Sequence, residues 1–297
     1  MPGIAVGATV FTRTEKLKNL LESINHPLVD NVYIADNGRI DDDKEKVYNQ
    51  TYPFELSVLD IEYDAGLAYS RNQIVKDMKE DLLLLVDCDM ELPENIEILY
   101  DQLMSKPDVG GISGTLYEND IFRGAGHNLY EESLFDSNDL LVRDIRGDTQ
   151  VEMVSGHPFV QLDQIPNAAL FRAECLKDYP WDPKYRFGEH FDFFVGHKKN
   201  TDWTFAASPK VVFPHNRGGY EGRGPESLTE KKRESKNHFE NKWGYRHIIH
   251  RTPNWMELNT HNDNHRMADF VTNQFTKLPP KFQGLGLEFY NLVNPKR

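Results

Sequence analysis

With 297 residues, 34 Lys and Arg against 47 Asp and Glu, and a net charge of −13, the chain can bury a sizeable core, as one large α/β domain with an extension or as two smaller units. Its acidity excludes broad binding to nucleic acid or to an anionic membrane. Two cysteines, Cys88 and Cys175, exclude a disulfide framework, and neither a secretory signal nor a run of about 18 apolar residues is visible. The expected location is therefore cytoplasmic, with no integral membrane segment and any membrane association peripheral, through a substrate or partner.

Ile4 to Val10 reads as a strand, and Thr14 stands where a helix cap would, ahead of Leu17, Leu20, Leu21 and Ile24 at helical spacing. Asn31 to Ala35 is a second strand, followed by Asp36-Asn37-Gly38 and a helix near Lys44 to Gln50. Leu56 to Tyr63 reads as a third strand and Gly66 to Met78 as a helix, with Arg71 and Asn72 near its first turns. Leu82 to Val86 is a continuous apolar run, the pattern of a strand buried on both faces. Pro93 introduces a helix through Ile96, Leu99 and Leu103, and Val109 to Ser113 resumes a strand.

The alternation predicts an α/β fold: a doubly wound, largely parallel central sheet with flanking helices. Right-handed crossovers bring the strand C-termini to one edge. Thr12 and Arg13, Asp36, and Asp87 to Asp89 each follow a strand and so converge there. Two acids two residues apart, as in Asp87-Cys88-Asp89, repel unless a cation sits with them, and their oxygens suit Mg²⁺ or Mn²⁺. A cation holding a nucleoside diphosphate is the ligand this edge predicts.

The second half is less regular. Residues 114–150 suit long loops or edge strands around a smaller, acceptor-side subregion. Gln150 to Val154 reads as a strand, Ala168 to Leu176 as a strand passing into a helix, and a helix runs from about Gly188 towards Lys199. Phe205 to Val212 is a late strand ending at Pro214-His215-Asn216-Arg217. Gly218 to Gly224 reads as a flap, and Leu228 to Trp243 as a charged helix docked by Phe239 and Trp243. The expected organisation is a nucleotide-binding half (1–115), an acceptor-binding and catalytic half of the same domain (116–250) and a C-terminal extension (251–297).

In order along the chain, Phe11-Thr12-Arg13-Thr14, Ile34-Ala35-Asp36-Asn37-Gly38, Gly66-Leu67-Ala68-Tyr69-Ser70-Arg71-Asn72, Asp87-Cys88-Asp89, Ile165 to Arg172, Gly188-Glu189-His190 and Lys242-Trp243-Gly244 resemble the inverting family 2 glycosyltransferases of GT-A fold, over roughly residues 4–245. The resemblance implies a nucleotide-sugar donor, UDP-linked, and a hydroxyl acceptor on a glycan or glycolipid. It implies that Thr12 and Asp36 contact the base with Arg71 beside it, that Asp87 reaches the ribose or metal, and that Asp89 ligates the metal. His215 resembles a further metal ligand, for which imidazole favours Mn²⁺ over Mg²⁺, and Arg217 or Arg223 would clamp the diphosphate.

The family's catalytic carboxylate falls where this chain reads Glu189-His190, with Asp192 two residues on, so the base is Asp192, His190 or Glu189. No Gln-x-x-Arg-Trp motif is present, which points to single additions rather than polymer synthesis. A sugar-nucleotide pyrophosphorylase would need a Gly-rich loop straight after the first strand, and Phe11-Thr12-Arg13-Thr14 lacks it. A non-catalytic sugar-nucleotide or glycan-binding module is the other alternative. His247, His250, His261 and His265, with no cysteine to join them, read as a polar extension rather than a zinc site.

Overall fold

Strand and helix alternate through the first half: β1 (Ile4–Val10), α1 (Thr14–Ser23), β2 (Val29–Asp36), α2 (Asp42–Tyr48), β3 (Glu55–Asp60), α3 (Leu67–Asp77), β4 (Leu82–Asp87), α4 (Glu97–Ser105) and β5 (Val109–Glu118). The computed structural model describes residues 3–123, 126–134, 137–145, 149–185, 187–216, 218, 225–245 and 247–250. Strands β1 to β4 are parallel, in the order β3-β2-β1-β4. Packing explains why β1 and β4 are apolar at nearly every position. Ile4, Val6, Ala8 and Val10, with Leu82, Leu84 and Val86, pack against Leu17, Leu20 and Leu21 of α1 and Leu99 and Leu103 of α4. Ala5, Leu83 and Leu85 point the other way, to Ala68, Ile74 and Val75 of α3. Helices cover both faces, so neither face tolerates polar residues.

The second half completes the same sheet. It contributes β6 (Ile121–Arg123), β7 (Asn128–Leu134), β8 (Ser137–Asp144), β9 (Val151–Val154), β10 (His157–Leu162), β11 (Ala169–Arg172), α5 (Ala173–Asp178), α6 (Glu189–Asn200), β12 (Thr204–Pro214), α7 (Pro225–Trp243) and β13 (His247–His250). The sheet order continues β4-β11-β5-β12-β10-β9, with β6 paired to β5. β11 is inserted antiparallel between β4 and β5, whereas β12 runs parallel to β5. β4, β5 and β12 therefore end at the same edge as β1 and β2. The position taken from sequence as the boundary, residue 115, lies inside β5. Strands β7 and β8, with β13 parallel to β8, form a separate three-stranded sheet.

Two local expectations are corrected. Thr14 is the first residue of α1 rather than its cap; Arg13 holds the cap position because its carbonyl already accepts from Leu17 N at 3.0 Å. The helix expected from Pro93 starts only at Glu97. Asp41 caps α2, accepting from Lys44 N at 3.0 Å. Among the described residues no helix is long and apolar enough to cross a membrane. Residues 251–297, with His261 and His265, and the side chains of His247 and His250 lie outside the described residues.

Candidate active site

Beyond β4 the chain turns at once, Met90 N bonding Asp87 O at 3.1 Å; two backbone contacts stitch this turn to the end of β12, and a third ties the end of β12 to β5. Asn216 N donates to Asp89 O (2.8 Å), Glu91 N to Pro214 O (3.0 Å), and His215 N to Tyr117 O (2.8 Å). His215 Nε2 thereby lies 3.4 Å from Asp89 Oδ1, and its Nδ1 lies 2.8 Å from Glu118 Oε2. Arg13 pairs with the other oxygen of Asp89, whose side chain is 4 % exposed. Burial alone would raise the Asp89 carboxyl, but His215 and Arg13 outweigh it and hold the group below the usual range. Burial would lower His215, yet Asp89, helped by Asp87 and Glu118, raises it.

Asp89 and His215 offer a carboxylate and an imidazole side by side, a donor set suited to Mn²⁺. Among the described residues no group of three or more His, Cys, Asp and Glu side chains forms a complete cage. That is compatible with a cation held by one or two carboxylates and completed by substrate phosphates. The residues present fit such a cation, provided Arg13 moves off Asp89.

Asp87 faces a second cluster. Arg71 of α3 is buried, and its Nη2 lies 3.4 Å from Asp87 Oδ1 while its Nη1 donates to Glu189 Oε1 at 2.6 Å. Trp181 lies beneath the guanidinium, 5.7 Å from ring centroid to Cζ. Asn72 holds Trp181 by both backbone groups, Nδ2 to Trp181 O at 2.7 Å and Trp181 N to Oδ1 at 3.2 Å. Gly188, at φ 77°, makes the left-handed turn that aims Glu189, the first residue of α6, at Arg71.

The other two base candidates are placed differently. His190 binds the Ile165 carbonyl through Nε2 at 2.7 Å; burial, with the Arg71 charge adding to it, pushes its pKa down to about 3. Asp192 is 0 % exposed and turned towards α7, with Oδ2 on Lys242 Nζ (2.8 Å) and Oδ1 on Trp243 Nε1 (2.7 Å). Glu189 is the one of the three that joins the Asp87 cluster.

Asp36 is wholly enclosed. Lys44 Nζ donates to both of its oxygens (2.8 and 2.9 Å), Tyr48 OH to Oδ2 (2.6 Å) and Gly38 N to Oδ1 (2.9 Å). Lys44 also reaches Phe11 O at 2.9 Å, tying the β1 and β2 exits together. Thr12 lies exposed on this rim. Beside it, Phe11 and Tyr63 approach to 5.3 Å and Arg39 sits 5.4 Å from the exposed Tyr63 ring. Sequence reading did not single out Lys44, Phe11, Tyr63 or Glu118; Phe11 alone carried a signal, its place directly after β1. Arg217, Arg223 and the rest of the expected flap beyond Gly218 lie outside the described residues. A separate cavity of about 520 Å³, lined by Gln161, Asp163, Lys198 and Trp203 among others, lies at the start of β12 and holds none of these residues.

No family model matches this chain, and no curated protein does. Among solved structures it is similar to S. aureus TarS, residues 1–349, with a TM-score of 0.50 and 15 % identity over 80 % of this chain and 66 % of that one. It is also similar to the mannosyltransferase PcManGT of Pyrobaculum calidifontis, solved with GDP-Man and Mn²⁺, with a TM-score of 0.51 and 13 % identity over 81 % of this chain and 64 % of that one. The chain thus spans less than two thirds of the length of either. At such identities the likeness is one of fold: a GT-A-like α/β architecture built on a large, mostly parallel central sheet.

Proposed function

We propose that this chain is a metal-dependent, inverting glycosyltransferase of the family 2 type, a hexosyltransferase that moves a sugar from a nucleoside-diphosphate donor, UDP-linked by preference, to a hydroxyl of a glycan or glycolipid. The observation that carries this reading is the meeting of Asp89 and His215, from opposite halves of the chain, at the edge where β1, β2, β4 and β12 end. Asp89 and His215, with Asp87 beside them, would hold the divalent cation; when bound, it supplies Lewis-acid stabilisation of the charge on the departing diphosphate. Arg13, released from Asp89, is placed to pair with a phosphate oxygen. The base would lie on the rim of Phe11, Thr12 and Tyr63, which Asp36 supports through Lys44 rather than by its own oxygens.

The acceptor oxygen attacks the anomeric carbon from the face opposite the diphosphate. The bond from that carbon to the diphosphate oxygen breaks, the electron pair leaves with the diphosphate, and the configuration inverts. The hydroxyl proton passes to Glu189, which Arg71 steers through one oxygen. Asp192 serves the packing of α7, and His190 holds the Ile165 carbonyl.

Calorimetric titration of UDP, GDP and their sugar conjugates, with and without Mn²⁺, tests this. Metal-dependent binding of one nucleotide, lost in Asp89→Ala, is expected; absence of binding under every condition overturns the proposal. Glu189→Gln is expected to keep nucleotide binding and lose transfer, and a variant that still transfers removes Glu189 as the base. One observation favours a second reading, a binding module without turnover: each of the three base candidates already has a protein partner. Tight nucleotide binding without any donor hydrolysis or transfer would select it.

A further inference from the structure

Glu118 ends β5 on the Nδ1 side of the His215 ring, away from the nitrogen that meets Asp89. The hairpin into β6 turns through Asn119 and Asp120, with φ of 49° and 61°. Two successive left-handed residues are what a two-residue type I′ connection demands, and they fix Glu118 opposite Ile121. The Glu118 residue is 2 % exposed. Its Oε1 lies 2.5 Å from Arg123 Nε and its Oε2 lies 2.8 Å from His215 Nδ1. A carboxylate is tolerated at such depth only against partners of this kind. His215 is held at its backbone as well, by Tyr117 O and by the bridge to Met90.

We infer that Glu118 is a positioning residue for the cation site: it holds His215 at Nδ1 so that Nε2 presents its lone pair beside Asp89, and Arg123 holds Glu118 in turn. The inference rests on the metal-dependent reading above. An imidazole ligates only through an unprotonated nitrogen, and the group that accepts from the other nitrogen decides which one that is. The Glu118 carboxylate lies 2.8 Å from Nδ1 on the side opposite Asp89, where its charge favours a proton on that nitrogen, so it acts through His215 and not as a ligand. Without it, either ring nitrogen can carry the proton and the ring orientation rests on packing alone.

The test is Mn²⁺ affinity, read from the paramagnetic resonance of free Mn²⁺ with and without UDP or GDP, in wild type, Glu118→Ala, Glu118→Gln, His215→Ala and the Glu118→Ala/His215→Ala double variant, each checked for folding by its thermal transition. Glu118→Ala should weaken Mn²⁺ binding about 10- to 100-fold. Glu118→Gln keeps an acceptor for Nδ1 and should lose less. The double variant should bind no more weakly than His215→Ala alone. A folded Glu118→Ala with wild-type affinity for Mn²⁺, while His215→Ala loses it, overturns this inference alone. A further loss from Glu118→Ala in the His215→Ala background also overturns it, because the residue would then act independently of the ring. Wild type that binds no Mn²⁺ with either nucleotide overturns the metal-dependent reading and this inference with it.

Discussion

Trp243 Nε1 donates to Asp192 Oδ1 at 2.7 Å while Lys242 Nζ reaches Oδ2 at 2.8 Å, so the last two residues of α7 grip the first turn of α6. Lys242 also spans to Asp182 Oδ2 at 2.9 Å, where His238 Nε2 meets the same oxygen at 2.9 Å. Phe239 adds a stacked contact on Phe191, with centroids 5.2 Å apart. Asp192 is thus the fully buried polar anchor of α7, beside Asp182 and the more exposed Lys231–Asp64 pair. Asp192→Ala should cost on the order of 3 kcal/mol of stability, since it strips a buried partner from Lys242 and Trp243. Denaturant unfolding measures the loss, and nucleotide affinity should hardly change. A variant that keeps its stability but loses transfer would restore Asp192 as the catalytic base.

The Asp36–Lys44 pair makes a parallel case at the other end of the crevice. Both side chains are buried, and Lys44 spends its three donors on Asp36 and the Phe11 carbonyl. Lys44→Met leaves a carboxylate buried beside Tyr48 and Gly38 N alone, and should cost about 3–5 kcal/mol. Adding Asp36→Asn to that variant should recover part of the loss, because the uncompensated charge is gone. A double variant no more stable than Lys44→Met would show that the pair is not what holds the rim.

These two pairs mark the limit of what the sequence made legible. Local signals carry the alternation of β1 to β5 with α1 to α4: apolar runs, helical spacing, and turns rich in Asp, Asn and Gly. The Asp87–Asp89 turn and the place of His215 after a late strand followed from the same signals. Partners across the chain did not. Glu189 and Asp192 lie three apart in one helical turn and read as sharing a face, yet Glu189 reaches back to Arg71 and Asp192 reaches on to α7. Nothing local to α6 tells which neighbour each will meet. The insertion of β11 between β4 and β5 is equally silent, since Ala169–Arg172 is four residues long and would fit any buried position.

Gly38 is where backbone geometry and the base rim meet. A Cβ built there would collide with the Phe11 carbonyl oxygen and come within 2.9 Å of Lys44 Nζ. Backbone cannot yield as a flexible side chain can, so Gly38→Ala should push the β1 and β2 exits apart. Nucleotide affinity, measured by calorimetry, should fall at least about tenfold, a factor worth 1.4 kcal/mol. Unchanged affinity would place the base elsewhere than on this rim.

The aromatic packing beneath α6 gives a pH-dependent stability. His197 is 0 % exposed, enclosed by Phe193, Phe205 and Tyr179 with centroids 4.4, 5.2 and 5.4 Å away. Its Nδ1 lies 3.0 Å from Thr201 Oγ1. Burial pushes its pKa down to about 4. In the unfolded chain the group takes up a proton below about 6.5, whereas the folded chain refuses it until about 4. The unfolded state therefore binds more protons between those values. Stability from this group is fully present above pH 6.5, falls as pH drops towards 4, and falls no further from this source below that. At about 1.4 kcal/mol per unit, the loss amounts to roughly 3 kcal/mol. His190, lowered to about 3, adds a loss of the same sign over a wider window. His197→Gln retains a neutral polar group but cannot titrate, so its unfolding free energy should slope less steeply than wild type between pH 6.5 and 4. Denaturant melts at half-unit steps across that range decide it: parallel slopes for the two proteins would show that His197 is protonated as readily inside the fold as outside it.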